Sequence, residues 1–513
     1  MIEEGAAVKR IGIRGVSLLS GIVEVLFVAA ILHLILLVIF PSGYDIGIGT
    51  LSLHVGHLRV TLLACFALAV ARAVLRSTRE TGALLTDLRS PLILFLACIF
   101  IYTLNGPTVW SSDTVPARYL PISIINDLNL DLDEFTFEDK DWYAFNQARG
   151  HTVSAYPPWA GVLAVPMYLM PVLRGEDEHA LPLLDLEKRS AALITALSVL
   201  VVYFTARRLT RERWAWLIAL IFAFGTTSFS VSSQALWQHG PSQLFVALTL
   251  YCLVRGLKEP WFSALAGLPL GLAFICRPLN LFLALPLLVY MIHARRNEFW
   301  GFCVASLPAL ALFAAYNWVY FGSPFTTGFS GTVISPSSLV GVHLTWFQTP
   351  ILTGASGILF SPGRGLLVYS PILIFSFIGI AMAWKERGRL LLKYLSIGAV
   401  LMMLPVSMLG HWWGGHGYGP RLLADLTPIL ALFLFLPFEG HRATPLKTYA
   451  IAVLVGISIG LHGLGIISDK TWNAYPNDID RHPERLWSWT ASPPVYYGKQ
   501  VFNDLVRRIP LTQ

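Results

Sequence analysis

A single carboxylate stands where an apolar segment of the sequence gives way to a polar one. Ser111-Ser112-Asp113 follows apolar residues and lies near the start of the long polar segment 107–189. A carboxylate in this position can take a proton from a hydroxyl group, as a general base does. Asp113 is therefore the candidate catalytic residue, and the alternative is a helix cap or a solvated loop acid. Arg118 either orients Asp113 by pairing with it or forms a plain surface pair.

Three arginines stand apart from the other basic residues. Arg277 has apolar residues on both sides, and a charge so close to hydrocarbon is costly unless it is paired. It either binds an anion or extends its charged end to lipid headgroups. Arg364 and Arg421 are each the only cation of their loop, and guanidinium groups suit phosphate oxygens. Asp425 follows Arg421 by four residues, so a structural ion pair on one helix face is the alternative for Arg421.

Polar and aromatic residues cluster in two short segments, 237–240 and 411–418. No Cys or carboxylate neighbour completes a metal-ligand set beside His411 and His416, so hydrogen bonding to a polar ligand is the favoured interpretation. The aromatic residues either stack on a ligand ring or belong to an aromatic belt at the membrane interface. The candidate ligand contacts are Trp237, Gln238, His239, His411, Trp412, His416 and Tyr418.

An acidic run lies further along the first polar segment, at Asp127, Asp131, Asp133 and Glu134. These carboxylates either form a solvated face or bind a cation. A hard cation needs oxygen ligands that converge from several directions, and spacing alone does not provide that. No required metal is predicted, and a divalent cation is the alternative. The five cysteines lie in or at the ends of apolar segments, and we expect neither a disulfide nor a metal motif.

The elements that must position these residues are membrane helices. Hydrophobic residues make up 55% of the 513 residues and charged residues 13%, and the mean hydropathy is +0.62. Apolar runs long enough to cross a bilayer recur along the chain. These runs predict an all-α integral membrane protein of about thirteen transmembrane helices. The spans are expected near residues 17–40, 58–76, 90–106, 190–207, 214–233, 241–256, 261–276, 279–293, 300–320, 366–384, 392–410, 421–438 and 447–467.

Lysines and arginines are distributed unequally between the two sides of these spans. Clusters such as Arg207-Arg208 and Arg295-Arg296 fall on one side, and the short loops of the other side carry few basic residues. Basic loops stay in the cytoplasm, so we expect the amino terminus there and the carboxyl terminus and the candidate site outside. The basic residues are dispersed at helix ends, so the net charge of +7 predicts no nucleic-acid surface.

The expected organisation has three parts. Residues 1–90 hold two amino-terminal transmembrane helices, the first of which is expected to be retained rather than cleaved as a signal peptide. Residues 91–467 form the main transmembrane module, and residues 468–513 form a short outer tail.

Two outer loops of this module are long, 107–189 and 321–365. In the first, the apolar stretch from Tyr156 to Leu173 is expected to lie in the membrane interface. If this stretch crossed the membrane instead, the basic residues at the end of the next span would lie on the outer side, which contradicts the expected orientation. In the second, residues 349–362 are expected to form a short re-entrant or surface segment.

The order of several short motifs resembles the GT-C superfamily of polytopic membrane glycosyltransferases. The branch most similar is that of the protein O-mannosyltransferases and the lipid A aminoarabinose transferases. The likeness covers residues 91–467, and two spans precede it. The motifs that carry it are Ser111-Ser112-Asp113, Tyr156-Pro157-Pro158, Arg189 at the start of a span, Trp237-Gln238-His239-Gly240, Phe321-Gly322-Ser323-Pro324, Ser361-Pro362-Gly363-Arg364-Gly365-Leu366 and Gly419-Pro420-Arg421.

The chain departs from these relatives in three ways. Many of them carry a second acid beside the first, where this chain has Thr114, so no paired acidic motif is carried over. Some have a lysine before Pro-Pro, where this chain has Tyr156, so no lysine clamp on phosphate is carried over. The tail is shorter than the terminal domains of several relatives, which leaves recognition of the acceptor to the loops.

The resemblance implies transfer of a sugar from a polyprenyl-phosphate donor to a hydroxyl group of a lipid, glycan or protein acceptor, with inversion at the anomeric carbon. Asp113 would be the general base, at the periplasmic face of a bacterial inner membrane, and no cofactor would be required. Arg277 with Arg364 or Arg421 would stabilise the departing phosphate. The implied donor-binding residues are Arg277, Arg364, Arg421, His239 and Tyr156, and the implied acceptor or sugar contacts are Arg118, Trp237, Gln238, His411, Trp412, His416 and Tyr418.

A polytopic transporter or lipid flippase without transferase activity is the alternative function. Charged residues are scarce at mid-span positions, and the sequence has no paired halves with interrupted helices, which favours the transferase. A membrane-bound scaffold without catalysis is a third hypothesis.

Overall fold

The computed structural model of the chain describes most of residues 91–508 and parts of residues 23–68. The chain divides into two compact units, Met1–Leu104 with Pro166–Pro182, and Asn105–Val165 with Leu183–Gln513. The continuous described stretches are 91–107, 111–137, 143–175, 181–328, 347–439, 445–468 and 471–508.

Helices account for nearly all regular structure of these residues, as the sequence predicts. Apolar runs form them because a helix satisfies every backbone polar group within one segment. In chain order the α-helices are α1 (Pro91–Thr103), α2 (Val115–Asn126), α3 (Trp159–Leu173), α4 (Leu183–Leu209), α5 (Glu212–Phe224), α6 (His239–Gly256), α7 (Trp261–Leu265), α8 (Gly267–Cys276), α9 (Leu281–Ala294), α10 (Arg296–Phe321), α11 (Ile351–Phe360), α12 (Leu366–Tyr369), α13 (Ile374–Lys385), α14 (Leu390–Met408), α15 (Thr427–Phe433), α16 (Phe435–Glu439), α17 (Pro445–Gly465) and α18 (Pro493–Arg508).

Helical segments coincide with eleven of the predicted spans, and the first two spans, 17–40 and 58–76, lie largely outside the described residues. Five helical segments are long and apolar enough to cross a membrane, and several shorter apolar helices accompany them. The all-α membrane class is thus confirmed, and the number thirteen stays a prediction. The five long segments are Leu183–Leu209, Arg296–Phe321, Leu390–Met408, Arg421–Glu439 and Pro445–Gly465.

Prolines divide some predicted spans into shorter pieces. The span 366–384 consists of α12, a 3-10 turn Pro371–Leu373 and α13, and a 3-10 turn Pro278–Asn280 precedes α9. Proline lacks a backbone N–H and clashes with the preceding turn, so it begins a helix more readily than it continues one. The span 421–438 begins with a 3-10 segment, Arg421–Leu426, and continues as α15 and α16.

Two antiparallel hairpins accompany the helices. The strands β1 (Tyr44–Ile48) and β2 (Leu51–Val55) form the first. The strands β3 (Phe145–Ala148) and β4 (His151–Ser154) form the second, within the first outer loop. Arg149 and Gly150 join β3 to β4, and both have positive φ, as a two-residue turn of this kind requires. Because the strands pair in register, residues just before β3 and just after β4 lie side by side.

The carboxyl-terminal tail folds back onto a loop of the membrane module. The Ser361 hydroxyl and the Gly363 N–H both donate to the Leu486 carbonyl, at 2.5 and 3.0 Å. Within the tail, the Trp472 indole donates to the Ala491 carbonyl at 2.6 Å, and Arg485 donates to the Trp472 carbonyl at 3.0 Å. The tail from 471 to 508 is therefore a folded part of the second unit.

Small residues allow α8 and α10 to pack closely. Gly267 and Gly271 are four residues apart on α8, the spacing that brings membrane helices together. A β-carbon at Gly267 would lie 1.9 Å from the Phe302 carbonyl oxygen, and one at Gly271 would lie 2.9 Å from the Ala309 β-carbon. The two backbones can approach this closely only with glycine at position 267.

We expect Gly267→Ala to lower the free energy of unfolding by about 1–3 kcal/mol, because the added methyl group forces α8 away from α10. Gly460→Ala on α17 is the matched control, since no atom lies within 4 Å of its added methyl group. The control should be neutral or stabilising by up to about 1 kcal/mol, as alanine is the better helix former. Unfolding in mixed micelles measures both, and equal effects would contradict the packing described.

Candidate active site

Asp113 lies in a 3-10 turn, Ser112–Thr114, that leads directly into α2. The Ser111 hydroxyl accepts a hydrogen bond from the Asp113 N–H at 3.3 Å, and the Thr114 hydroxyl donates to the Ser111 carbonyl at 2.9 Å. Since Ser111 caps the turn, the side chain of Asp113 is free to point away from it. The helix-cap interpretation of Asp113 is therefore wrong.

The Asp113 carboxylate has two strong partners. The Arg421 Nη1 donates to one oxygen at 2.8 Å, and the Tyr143 hydroxyl donates to the other at 2.7 Å. The side chains of Asp113 and Arg421 are only 16% and 13% exposed, so each needs the opposite charge of the other. Tyr143 reaches Asp113 because it immediately precedes the hairpin of β3 and β4, which also brings Tyr156 to the same place.

These partners keep Asp113 ionised. Burial raises the pKa of this carboxyl group, but the Arg421 charge and the hydrogen bonds of Tyr143, Arg421 and Tyr156 together hold it below its ordinary value. The carboxylate is therefore ready to accept a proton at neutral pH.

Arg118 is not the partner of Asp113. Its Nε donates to Glu187 at 2.5 Å, and the other oxygen of Glu187 accepts the Leu236 N–H at 3.1 Å. The expected pairing of Arg118 with Asp113 is thus wrong, and so is the surface pair, because Glu187 is buried. Glu187 instead ties α2 and the turn before α6 to the start of α4.

The ion pair between Arg421 and Asp425, the alternative interpretation of Arg421, does not form, since Arg421 pairs with Asp113 and Asp425 pairs with Arg277. The reason is the local geometry of Arg421–Leu426, which is a 3-10 helix. With three residues per turn, residues four apart point about 120° apart rather than along one face.

Arg277 follows α8 and is buried with Asp425. Its Nη1 also donates to the Leu422 carbonyl at 3.4 Å, and its Nε and Nη2 make no side-chain hydrogen bond within the described chain. His239, at the start of α6, is buried too, and its Nδ1 lies 4.0 Å from Asp425 without a hydrogen-bond partner among the described residues. Buried polar atoms of this kind normally bind something.

A cavity of about 230 Å³ brings these groups together. Asp113 and Arg421 form one wall of it, and Arg277 and His239 line the interior. Apolar residues make up much of the remaining lining of this cavity. The described lining residues include Ala117, Pro157, Ala160, Leu236 and Leu422.

A second cavity, of about 910 Å³, adjoins the first. Four residues line both cavities: Asp113, Tyr156, Trp237 and Arg421. The Arg421 guanidinium lies over the Trp237 ring at 4.3 Å, which fixes both side chains at the boundary. Asp113 is therefore accessible from two compartments.

Arg364 lines the larger cavity and is almost fully buried. Its guanidinium donates to the carbonyls of Gly363, Trp413 and Gly415 at 2.8, 3.1 and 3.1 Å, and it lies 5.3 Å from the Trp472 ring. These bonds hold the glycine-rich loop 411–419 against the loop before α12.

The other candidates from the glycine-rich loop also belong to the larger cavity. His411, His416 and Tyr418 line it, and Trp412 is buried beside Trp487. His416 pairs with Asp480 at 2.7 Å, so the loop is joined to the carboxyl-terminal tail. Gln238 lines the smaller cavity.

One group of potential metal ligands occurs among the described residues, away from Asp113. Ligand atoms of Asp131, Asp133 and His151 lie within 4.8 Å of one another. His151 donates to or accepts from Asp133 at 2.7 Å, and Tyr320 donates to Asp131 at 3.2 Å. These contacts join the acidic run to β4 and α10, so the run is more than a solvated face.

One segment of the chain matches a known protein family. Residues 189–320 match the family model of dolichyl-phosphate-mannose-protein mannosyltransferases. Over this segment the chain is similar to a glycosyltransferase family. The matched segment contains Trp237, His239 and Arg277 of the smaller cavity, and the predicted resemblance to the GT-C superfamily is confirmed.

The other comparisons add little. No curated protein matches the sequence of this chain. Among solved structures, the apo form of the Archaeoglobus fulgidus oligosaccharyltransferase is similar, with a TM-score of 0.42 and 12% sequence identity. That match covers 79% of this chain and 60% of the other, so this chain spans less than two thirds of that protein's length.

Several residues of the site could not be found from the sequence. Tyr143 and Asp480 look like ordinary loop residues, and their partners lie 30 and 64 residues away. Tyr497 sits in a tail that gives no sign of folding back. Of these residues, only Glu187 could have been recognised from the sequence, because an acid among the first residues of an apolar helix needs a partner.

We expect Asp425→Asn to lower the free energy of unfolding of the protein by about 3–5 kcal/mol, because it leaves the Arg277 guanidinium buried without a countercharge. Replacing both partners, as Arg277→Met with Asp425→Leu, should recover much of this loss. Glu259→Gln is the control, since it breaks the exposed pair with Arg255 and should change the free energy of unfolding little. Equal effects of Asp425→Asn and Glu259→Gln would contradict a buried pair.

Proposed function

We propose that this protein is a glycosyltransferase that transfers a sugar from a polyprenyl-phosphate donor to an acceptor hydroxyl group, with Asp113 as the general base. The observation that carries the proposal is that Asp113 and Arg421 line two adjoining cavities. The base must reach the acceptor hydroxyl, and the acceptor oxygen must reach the anomeric carbon of the donor. Two adjoining cavities, one for each substrate, meet both needs.

The smaller cavity is the proposed donor site. Arg277 and Arg421 both line it and both have N–H groups left after their ion pairs, so they can donate to the oxygens of one phosphate. His239 has a free Nδ1 for a sugar hydroxyl. The name of the matched family, dolichyl-phosphate-mannose-protein mannosyltransferase, supports a lipid-linked donor.

An apolar groove beside the donor cavity would take the first part of the lipid tail. Tyr156 and Pro157 line both the cavity and the groove, and the groove continues along Trp159, Ile275 and Phe313. Prenyl chains are purely hydrocarbon and bind such a surface through burial of apolar area. The segment from Tyr156 would then border the donor, as the sequence predicts.

The proposed reaction is a single displacement. An Asp113 oxygen takes the proton of the acceptor hydroxyl. At the same time the hydroxyl oxygen attacks the anomeric carbon from the side opposite the phosphate. The bond between the anomeric carbon and the phosphate oxygen breaks, and its electron pair stays on the phosphate. Arg277 and Arg421 stabilise the charge that develops there, and the new sugar linkage has inverted configuration.

We propose that the reaction requires no metal ion. The positive charge that a metal would supply to the leaving phosphate comes from the two guanidinium groups. The Asp131, Asp133 and His151 group is not part of the described lining of either cavity, so it plays no part in the proposed step.

We propose that both cavities open on the periplasmic face of a bacterial inner membrane. The distribution of basic residues among the short loops supports this orientation. A cysteine placed at exposed position 484 should then react with a membrane-impermeant maleimide added to intact spheroplasts. Labelling only after lysis would reverse the orientation.

We expect Asp113→Asn to reduce the rate of polyprenyl-phosphate release by about 10²–10⁴-fold, because the acceptor loses its base. The purified chain is incubated with polyprenyl-phosphate hexoses and pentoses and an acceptor panel, in the presence of a chelator of divalent cations. Asp127→Asn is the matched control, an exposed acid of the same loop, and should keep the full rate. Release undiminished in Asp113→Asn would remove Asp113 from the base role, and release that needs added metal would contradict the metal-free step.

Tyr143→Phe should move the acid limb of the pH–rate profile to higher pH. The Tyr143 hydroxyl helps to lower the pKa of Asp113, so its loss raises that pKa. The rate of a carboxylate base falls as the pH drops through its pKa, and the fall then begins at a higher pH. Tyr449→Phe, an exposed tyrosine of α17, is the control. An unchanged or lowered acid limb in Tyr143→Phe would count against Asp113 as the titrating group.

A further inference from the structure

The carboxyl-terminal tail contributes a wall to the larger cavity. Trp472, Asn473, Asp480, Pro493 and Tyr497 of the tail line it, together with residues of the glycine-rich loop. The Asp480–His416 pair at 2.7 Å joins the two walls, and both side chains are nearly half exposed. The tail is therefore placed to contact whatever binds there, although its sequence predicts only a short tail without that role.

The lining of the larger cavity is aromatic and polar rather than aliphatic. Of the 22 described lining residues, only Val109, Val231 and Pro493 are aliphatic. An acyl or prenyl chain would need many more apolar side chains around it. The chemistry of the walls therefore disfavours a lipid tail as the occupant.

The aromatic residues of this cavity are held rigidly. The Trp472 ring lies 4.5 Å from the Arg485 guanidinium and 5.3 Å from that of Arg364. The Tyr497 ring lies 6.2 Å from that of Tyr418. Rigid rings present flat apolar faces at little cost in entropy, and such faces suit the C–H faces of sugar rings.

Asn473 of the tail has a buried donor without a hydrogen-bond partner among the described residues. Asn473 is 6% exposed, its Oδ1 accepts the Ile479 N–H at 2.8 Å, and its Nδ2 makes no hydrogen bond within the described chain. An amide N–H buried in this way costs free energy unless a ligand accepts from it. Asp480 supplies an acceptor from the same wall, so the tail offers both a donor and an acceptor, the combination that a hydroxyl group satisfies.

We propose that the tail residues 472–497 form the acceptor site of the larger cavity and that the acceptor is a saccharide. The sugar rings stack on the aromatic wall, and their hydroxyl groups bind Asn473 and Asp480. This inference rests on the proposed function, since it assigns the class of acceptor for the same reaction. It selects the glycan from the three acceptor classes left open by the sequence.

The test is a direct binding measurement that needs no turnover. The purified full chain in nanodiscs is titrated with manno- and arabino-oligosaccharides, with a Ser/Thr-rich peptide and with a short-chain diacylglycerol, and saturation-transfer NMR reports the contacts. We expect an oligosaccharide to bind through its ring protons, and Asp480→Asn to weaken that binding about tenfold or more, since a hydrogen bond to a charged group is lost. Glu484→Gln is the matched control, because Glu484 forms a similar exposed pair with His482 at 3.0 Å and is not part of the described lining.

Two further variants keep the outcomes separate. Arg277→Met combined with Asp425→Leu should lose release of polyprenyl phosphate and keep oligosaccharide binding, because neither residue is part of the described lining of the larger cavity and no unpaired charge stays buried. If Asp480→Asn lowers the unfolding midpoint, His411→Gln replaces it as the test, because His411 is an exposed residue of the same cavity. Oligosaccharide binding without release from any donor would overturn the proposed function alone. The acceptor inference would be overturned if no oligosaccharide binds, if the peptide or diacylglycerol binds instead, or if oligosaccharide binding is equal in Asp480→Asn, His411→Gln and Glu484→Gln.

Discussion

The ion pair between Asp113 and Arg421 is the interaction on which the rest of the site depends. It joins residues 308 positions apart in the chain, and both side chains are largely withdrawn from solvent. Neither charge could remain there without the other. Because both residues line both cavities, the proposed base and the Arg421 guanidinium can each contact a molecule in either cavity.

Other buried polar contacts hold the two ends of this pair in place. On the Asp113 side, Glu187 binds Arg118 and the Leu236 N–H and so fixes α2 against α4. On the Arg421 side, Arg364 binds three carbonyls and holds the glycine-rich loop that precedes Arg421. The residues of the proposed site thus lie at turns and loops, and buried charges within the helical module hold those segments in place. Functional residues of proteins often lie on loops that a rigid scaffold positions in this way.

Hydropathy alone locates the helices, because a lipid-facing segment must satisfy its backbone internally and so leaves a long apolar run. Rules based on residue spacing were less useful for predicting the partners of the site residues. The rule that residues four apart share a face fails at Arg421 and Asp425, because that segment is a 3-10 helix. The partners of Arg118, Asp113 and Asp480 depend on chain folding over tens to hundreds of residues, which spacing cannot report. Asp113 and Arg277 were predictable because a lone charge beside hydrocarbon needs an explanation.

The most direct test of the two-compartment site is a structure of the full chain in nanodiscs with the product polyprenyl phosphate bound. We expect phosphate oxygens within hydrogen-bonding distance of both Arg277 and Arg421, with the first isoprene units along Trp159 and Phe313. Asp113 would then lie on the side of the anomeric carbon that is opposite the phosphate. Phosphate bound at Arg364 in the larger cavity, with the smaller cavity empty, would exclude the smaller cavity as the donor site.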